Sequence, residues 1–152
     1  MSSEALESQK NFSFFPDLLI SAAIIILWLI PVLVISLRGD GGGSAPWGVF
    51  SNIALMVTII APVAYGWHTK DTTGAVLIGV LPFLLTTTIP RIFFGTSVQD
   101  TNYIIRSALY IVTLCSIGGL EGYFAAKREN RAFVIAIVLA GLWAIVFLSG
   151  IN

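Results

Sequence analysis

The side chains of this chain that could do chemistry gather between Thr86 and Arg131, and the most demanding of them is Glu121. It stands in Ser116-Ile117-Gly118-Gly119-Leu120-Glu121-Gly122-Tyr123-Phe124, an apolar setting in which a carboxylate is costly unless it finds a partner. A group so placed could relay a proton or hold a cation. The plainer reading has equal support: Glu121 lies about a turn and a half from Lys127, so it could reach the interface or pair with Lys127 or Arg128.

Arg106 precedes Glu121 by about 22 Å along a helix axis and cannot pair with it directly. At 100° per residue, however, Arg106, Tyr110, Thr113, Ile117 and Glu121 fall within one sector, a sparse polar stripe expected to face the bundle interior or a partner subunit. Arg91 and Arg106 at the opposite end could form a cationic mouth for an anion, a lipid headgroup or Asp100. Two arginines snorkelling to the interface is the reading given the larger share. Thr86-Thr87-Thr88, set between Pro82 and Pro90, resembles the broken helices that line transport sites, although proline and threonine also occur in ordinary kinked spans.

Beyond these the chemistry thins out. A lone His68 and a lone Cys115 can supply neither a metal set nor an internal disulfide, so no metal and no cofactor is expected. Asn11-Phe12-Ser13 matches a glycosylation acceptor but sits against the membrane on the side expected to be cytoplasmic. The sequence holds no acid pair within its apolar spans, no nucleophile elbow and no phosphate loop, and no catalytic residue is assigned.

The elements that must position these residues follow from composition. Of 152 residues 57% are hydrophobic and 11% charged, against roughly a quarter charged in soluble proteins, so the solvent for most of the chain is lipid. Formal charge is zero without a run of one sign, which argues against a nucleic-acid partner. A ~30 Å hydrocarbon core needs about 20 apolar residues in a helix. Spans are accordingly expected at about 18–37, 48–67, 73–94, 102–126 and 131–151, and the first is too long for a cleaved signal peptide. The fold class is all-α, a single integral membrane bundle of five transmembrane helices joined by short loops. The prolines predict that the third helix is kinked or broken, with the freed carbonyls of Ile78 and Thr86 met by the threonine hydroxyls, water or a neighbouring helix.

Small residues mark where helices approach. Ala54, Thr58, Pro62 and Gly66 recur every four residues in the second helix, and Gly118 and Gly122 form a Gly-x-x-x-Gly pair in the fourth. Ala132, Ala136, Ala140 and Ala144 make a ladder in the fifth, expected to face that glycine pair across a tight turn. Lys10, Lys70, Lys127, Arg128 and Arg131 fall on one side and Arg38, Arg91 and Arg106 on the other, which orients the multi-pass chain with its N-terminus cytoplasmic and its C-terminus outside.

The leading functional expectation is a non-enzymatic helical module, in contact with the lipid bilayer, that assembles as a homo- or hetero-oligomer with other membrane subunits. The alternative is a small transporter or channel in which Glu121 and the Thr86–Arg91 break line an ion, proton or small-solute path. An intramembrane enzyme acting on lipid, with Glu121 as base, has the least support, because no second acid or nucleophile accompanies it. The three separate on where Glu121 points: toward solvent or Lys127, into a wet cavity, or beside a lipid-sized groove.

Overall fold

The computed structural model describes residues 16–30, 45–94 and 101–150, with the backbone alone given for 45–48 and 90–94. It is an all-α bundle: α1 Pro16–Ile30, α2 Ala45–Thr69, α3 Thr72–Phe94, α4 Thr101–Ala126 and α5 Asn130–Ser149. Stretches of α2 to α5 are long and apolar enough to cross a membrane, and the described part of α1 is shorter. The chain is on this basis a membrane protein. The glycine-rich segment 38–44 and the loop 95–100 with Asp100 lie outside the described residues.

Local chemistry sets the boundaries. α2 begins at Ala45, earlier than the loop composition suggested, and Pro46 suits a first turn because its missing N–H would have had no helical partner. Lys70 ends α2 in the left-handed conformation, φ 61°, with its N–H donating to the Gly66 carbonyl at 3.0 Å. Asp71 then opens α3, its Oδ1 accepting from the Thr73 and Gly74 amides at 3.0 and 3.1 Å. The α4–α5 turn repeats the device at Arg128, φ 54°. Its guanidinium donates to the terminal carbonyls of α2, Trp67 at 2.6 Å and His68 at 2.7 Å, so one turn also caps another helix.

Of the two outcomes expected of its prolines, a kink or a break, α3 does not show the break: it is continuous from Thr72 to Phe94. Each threonine hydroxyl turns back onto its own helix: Thr86 donates to Pro82 and Phe83 carbonyls, Thr87 to Phe83 and Leu84, and Thr88 to Leu84 at 2.6 Å. These are carbonyls one turn before each threonine, the usual back-bond of a hydroxyl in lipid. The bonds of these hydroxyls go to the Pro82, Phe83 and Leu84 carbonyls and not to Ile78.

The helices alternate in direction. Cβ atoms added at Gly79 and Gly118 would each come closer than 3.0 Å to the other's carbonyl oxygen, and one at Gly122 would meet the Ala75 carbonyl equally closely. As the α3 number rises from 75 to 79 the α4 number falls from 122 to 118, so the pair is antiparallel with backbones in contact. Gly66 of α2 joins the same layer, its absent Cβ standing 2.9 Å from the Gly122 carbonyl oxygen. Gly118 and Gly122 thus pack on α3, which corrects the expectation that they face the α5 alanines. Only a glycine or alanine partner lets two backbones touch, and Gly79 and Ala75 supply it. α5 meets α4 instead through large side chains: Trp143 Nε1 donates to the Leu114 carbonyl at 3.1 Å and the Tyr110 hydroxyl to Phe147 at 3.0 Å. Phe83, Leu114, Ile117 and Trp143 form the core, with Phe83 edge-on to Trp143 at 5.5 Å and Phe147 stacked on Trp143 at 5.2 Å.

Candidate intramembrane site

The face of α4 that meets the other helices carries Leu114, Ile117, Gly118, Glu121, Gly122 and Ala125, the three-and-four spacing of a helix with one buried side. Glu121 is inward because it shares that register. It is 1% exposed, and its Oε1 has no hydrogen-bond partner among the described residues. The expected plain partners are occupied elsewhere. Lys127 holds its ammonium over the Tyr123 ring at 4.6 Å, and Arg128 caps α2. A carboxyl in this position is a few kcal/mol less favourable than one with a donor, so the fold tolerates a cost that its packing does not require.

The rest of the expected polar stripe does not assemble around it. Arg106 and Thr113 are exposed and Tyr110 is half-buried. Thr113 donates to its own helix at Leu109, 2.8 Å, and lies about 80° round the helix from Glu121, enough to turn it out of the bundle. Arg91 is on α3, but its side chain lies outside the described residues, so the arginine mouth is not described. Thr86, Thr87 and Thr88 are half-buried and back-bonded. Among the small residues, Ala54, Thr58, Gly66, Ala132 and Ala136 are buried, while Ala140 and Ala144 are half-buried. Thr58 also accepts from Trp28 Nε1 at 2.9 Å and donates to Ala54 at 2.8 Å, which ties α1 to α2.

A second polar group was not singled out from the sequence. Asp17, in the first turn of α1, is 1% exposed and accepts a hydrogen bond from the Tyr65 hydroxyl of α2. A Cβ at Gly74 would lie within 2.6 Å of both Asp17 Oδ1 and Asp71 Oδ2, so glycine is what lets an acid of α1 and the capping acid of α3 come together at the start of α3. Ser21, one turn along α1 from Asp17, is also buried, and its Oγ has no partner among the described residues. The signal was available in Pro16-Asp17 followed by Ser21, an i, i+4 polar pair entering an apolar run.

Asp17, Tyr65, Asp71 and Glu121 all lie toward the end of the bundle that holds Lys70, Lys127 and Arg128, with Glu121 about 8 Å along the axis from the end of α4. Fold and site together define a small α-helical membrane protein with a buried acid near one end. Compared with known protein families, with curated proteins and with solved structures, the chain matches none.

Proposed function

We propose that the protein passes protons across the membrane, with Glu121 as the group that takes up and gives up the proton inside the bundle. The observation that supports this is the Glu121 carboxyl itself, 1% exposed with Oε1 unmet by any donor among the described residues. A structural acid would have a capping amide, a cation or a hydroxyl. An acid used for transfer must instead be free to exchange its proton, and intramembrane acids of pumps and transporters have this character. Asp17 and Tyr65 add a pair of exchangeable groups at the same end of the bundle. The test is proton flux into vesicles carrying the purified chain, driven by a pH gradient. Wild type should exceed protein-free vesicles and Glu121→Gln should fall to their level, and equal flux in the two proteins would sink the reading.

Assembly with copies of itself or with other subunits is the second reading, and a different observation favours it. The outer face of α2 forms an apolar groove of about 450 Å³ along Val49, Ile53, Met56 and Ile60, and Asn52, an exposed amide, lies in it. An amide turned to lipid can hydrogen-bond across to a neighbouring helix. The glycine seam gives this reading no support, because α2, α3 and α4 consume it within one chain. Crosslinking in vesicles of wild type against Asn52→Leu tests it, with loss of dimer in the variant as the expected result.

A further inference from the structure

The outer side of the α3–α4 pair carries a second groove, of about 650 Å³, lined by Val76, Val80, Val112, Ser116, Gly119 and Tyr123 together with neighbouring atoms. That volume falls within the roughly 300–1,000 Å³ typical of sites for small molecules. Its floor is low because Gly119 has no side chain, and a Cβ there would press on Val80 Cγ2 at 3.1 Å. Glu121 is not among its lining residues, so the groove is separate from the proton site.

Two features say what fills it. From Tyr123 to Val112 the groove runs 11 residues along α4, about 16 Å at a helix rise of 1.5 Å per residue. One leaflet of a ~30 Å hydrocarbon core is about 15 Å deep, so the groove spans one acyl layer from its surface to the midplane. At the surface end Tyr123 lines the groove, and the Lys127 ammonium sits 4.6 Å above that ring. The ammonium rests over the Tyr123 and Phe124 rings, and Oε1 of Glu121 has no partner among the described residues. We propose that this groove is a binding site for one anionic phospholipid, an acyl chain lying on Val76, Val80, Gly119 and Val112 and the phosphate on Lys127. A neutral headgroup gains nothing from Lys127, and a free phosphate gains nothing from the apolar floor. The selectivity therefore rests on both ends of the same groove.

Native mass spectrometry of the full chain, released from nanodiscs of equal parts phosphatidylglycerol and phosphatidylcholine, reads this directly. Wild type should retain one phosphatidylglycerol in preference to phosphatidylcholine by roughly fivefold, the factor expected of a single cation at a membrane surface. Lys127→Gln should abolish the preference while leaving some lipid bound, and Ser116→Phe, which fills the groove, should remove the retained lipid of either kind. Should Ser116→Phe fail to fold, the Lys127 arm still decides. Equal retention of the two lipids by wild type, or an undiminished preference in Lys127→Gln, would overturn the site. Addition of inorganic phosphate at millimolar concentration should not displace the lipid, and displacement would mark a bare anion site instead.

Discussion

Two glycine-to-alanine changes in neighbouring helices should act in opposite directions. At Gly118 an added Cβ would come closer than 3.0 Å to the Gly79 carbonyl oxygen, which is backbone and has no rotamer by which to withdraw. α3 and α4 must then separate by something near 1 Å. A radial gap of ~0.5–1 Å forfeits a quarter to a half of each dispersion contact, worth ~0.1–0.2 kcal/mol per atom pair. Over roughly 40 pairs along the seam that is about 2 kcal/mol, inside the ~1–3 kcal/mol range for overpacked cores. Helix propensity returns about 0.5–1 kcal/mol for replacing glycine by alanine, so Gly118→Ala should lose about 1 kcal/mol net. At Gly141 nothing lies within 4 Å of the added methyl, and only the propensity gain remains. Gly141→Ala should therefore be neutral to stabilising by up to about 1 kcal/mol. Reversible unfolding in mixed micelles, followed by tryptophan fluorescence, measures both. Gly79→Ala combined with Gly118→Ala should cost less than the two separately, since one separation of the helices accommodates both methyls. Equal stabilities for Gly118→Ala and Gly141→Ala would refute the close contact on which the antiparallel seam rests.

Other contacts give further tests in the same unfolding assay. Tyr65→Phe removes the donor from buried Asp17 and should cost about 1.5–3 kcal/mol, whereas with Asp17→Ala already present the same change should cost much less. Arg128→Ala uncovers the Trp67 and His68 carbonyls at the end of α2 and should destabilise by about 1 kcal/mol, with Arg128→Lys recovering part of it. Lys70→Gly relieves a left-handed backbone that costs a lysine ~1 kcal/mol, so a small gain in stability is expected and a loss would show that the lysine side chain matters more than the turn.

Much of the architecture was legible because lipid imposes a length and a composition on every crossing. The α4 and α5 boundaries fall within about two residues of those read from the apolar runs, since hydrophobicity ends where the turns begin. What each helix does with its small residues was less legible. Gly118-x-x-x-Gly122 announces a close approach but carries no information on the partner, and two candidate partners existed: Gly79 and Ala75 on α3, or the alanine ladder on α5. The polar stripe on α4 does not all turn into the bundle, for a related reason. A sector of about 80° is wide enough on paper to hold Thr113 and Glu121 together, yet the contact with α3 and α5 buries Leu114 and Ile117 and leaves Thr113 outside. Asp17 was missed because a helix-initiating Pro-Asp reads as an interface, and only the position of Tyr65 on the next helix makes it interior.

The same logic gives Glu121 a sign. A residue kept for packing loses stability when it is replaced, whereas one kept for function at the expense of packing should gain it. Glu121 has an oxygen that is buried without a donor, and leaving such a group unmet costs about 1–3 kcal/mol. Methionine has nearly the same length, carries no polar oxygen and adapts its shape to irregular gaps. Glu121→Met should therefore unfold at a higher denaturant concentration than wild type, by about 1–2 kcal/mol, while its proton flux falls to the level of empty vesicles. The two readouts must move apart, and that is the force of the test. Destabilisation by more than about 1 kcal/mol would place a stabilising partner on the carboxylate. It would return Glu121 to the structural role that its nearness to Lys127 first suggested.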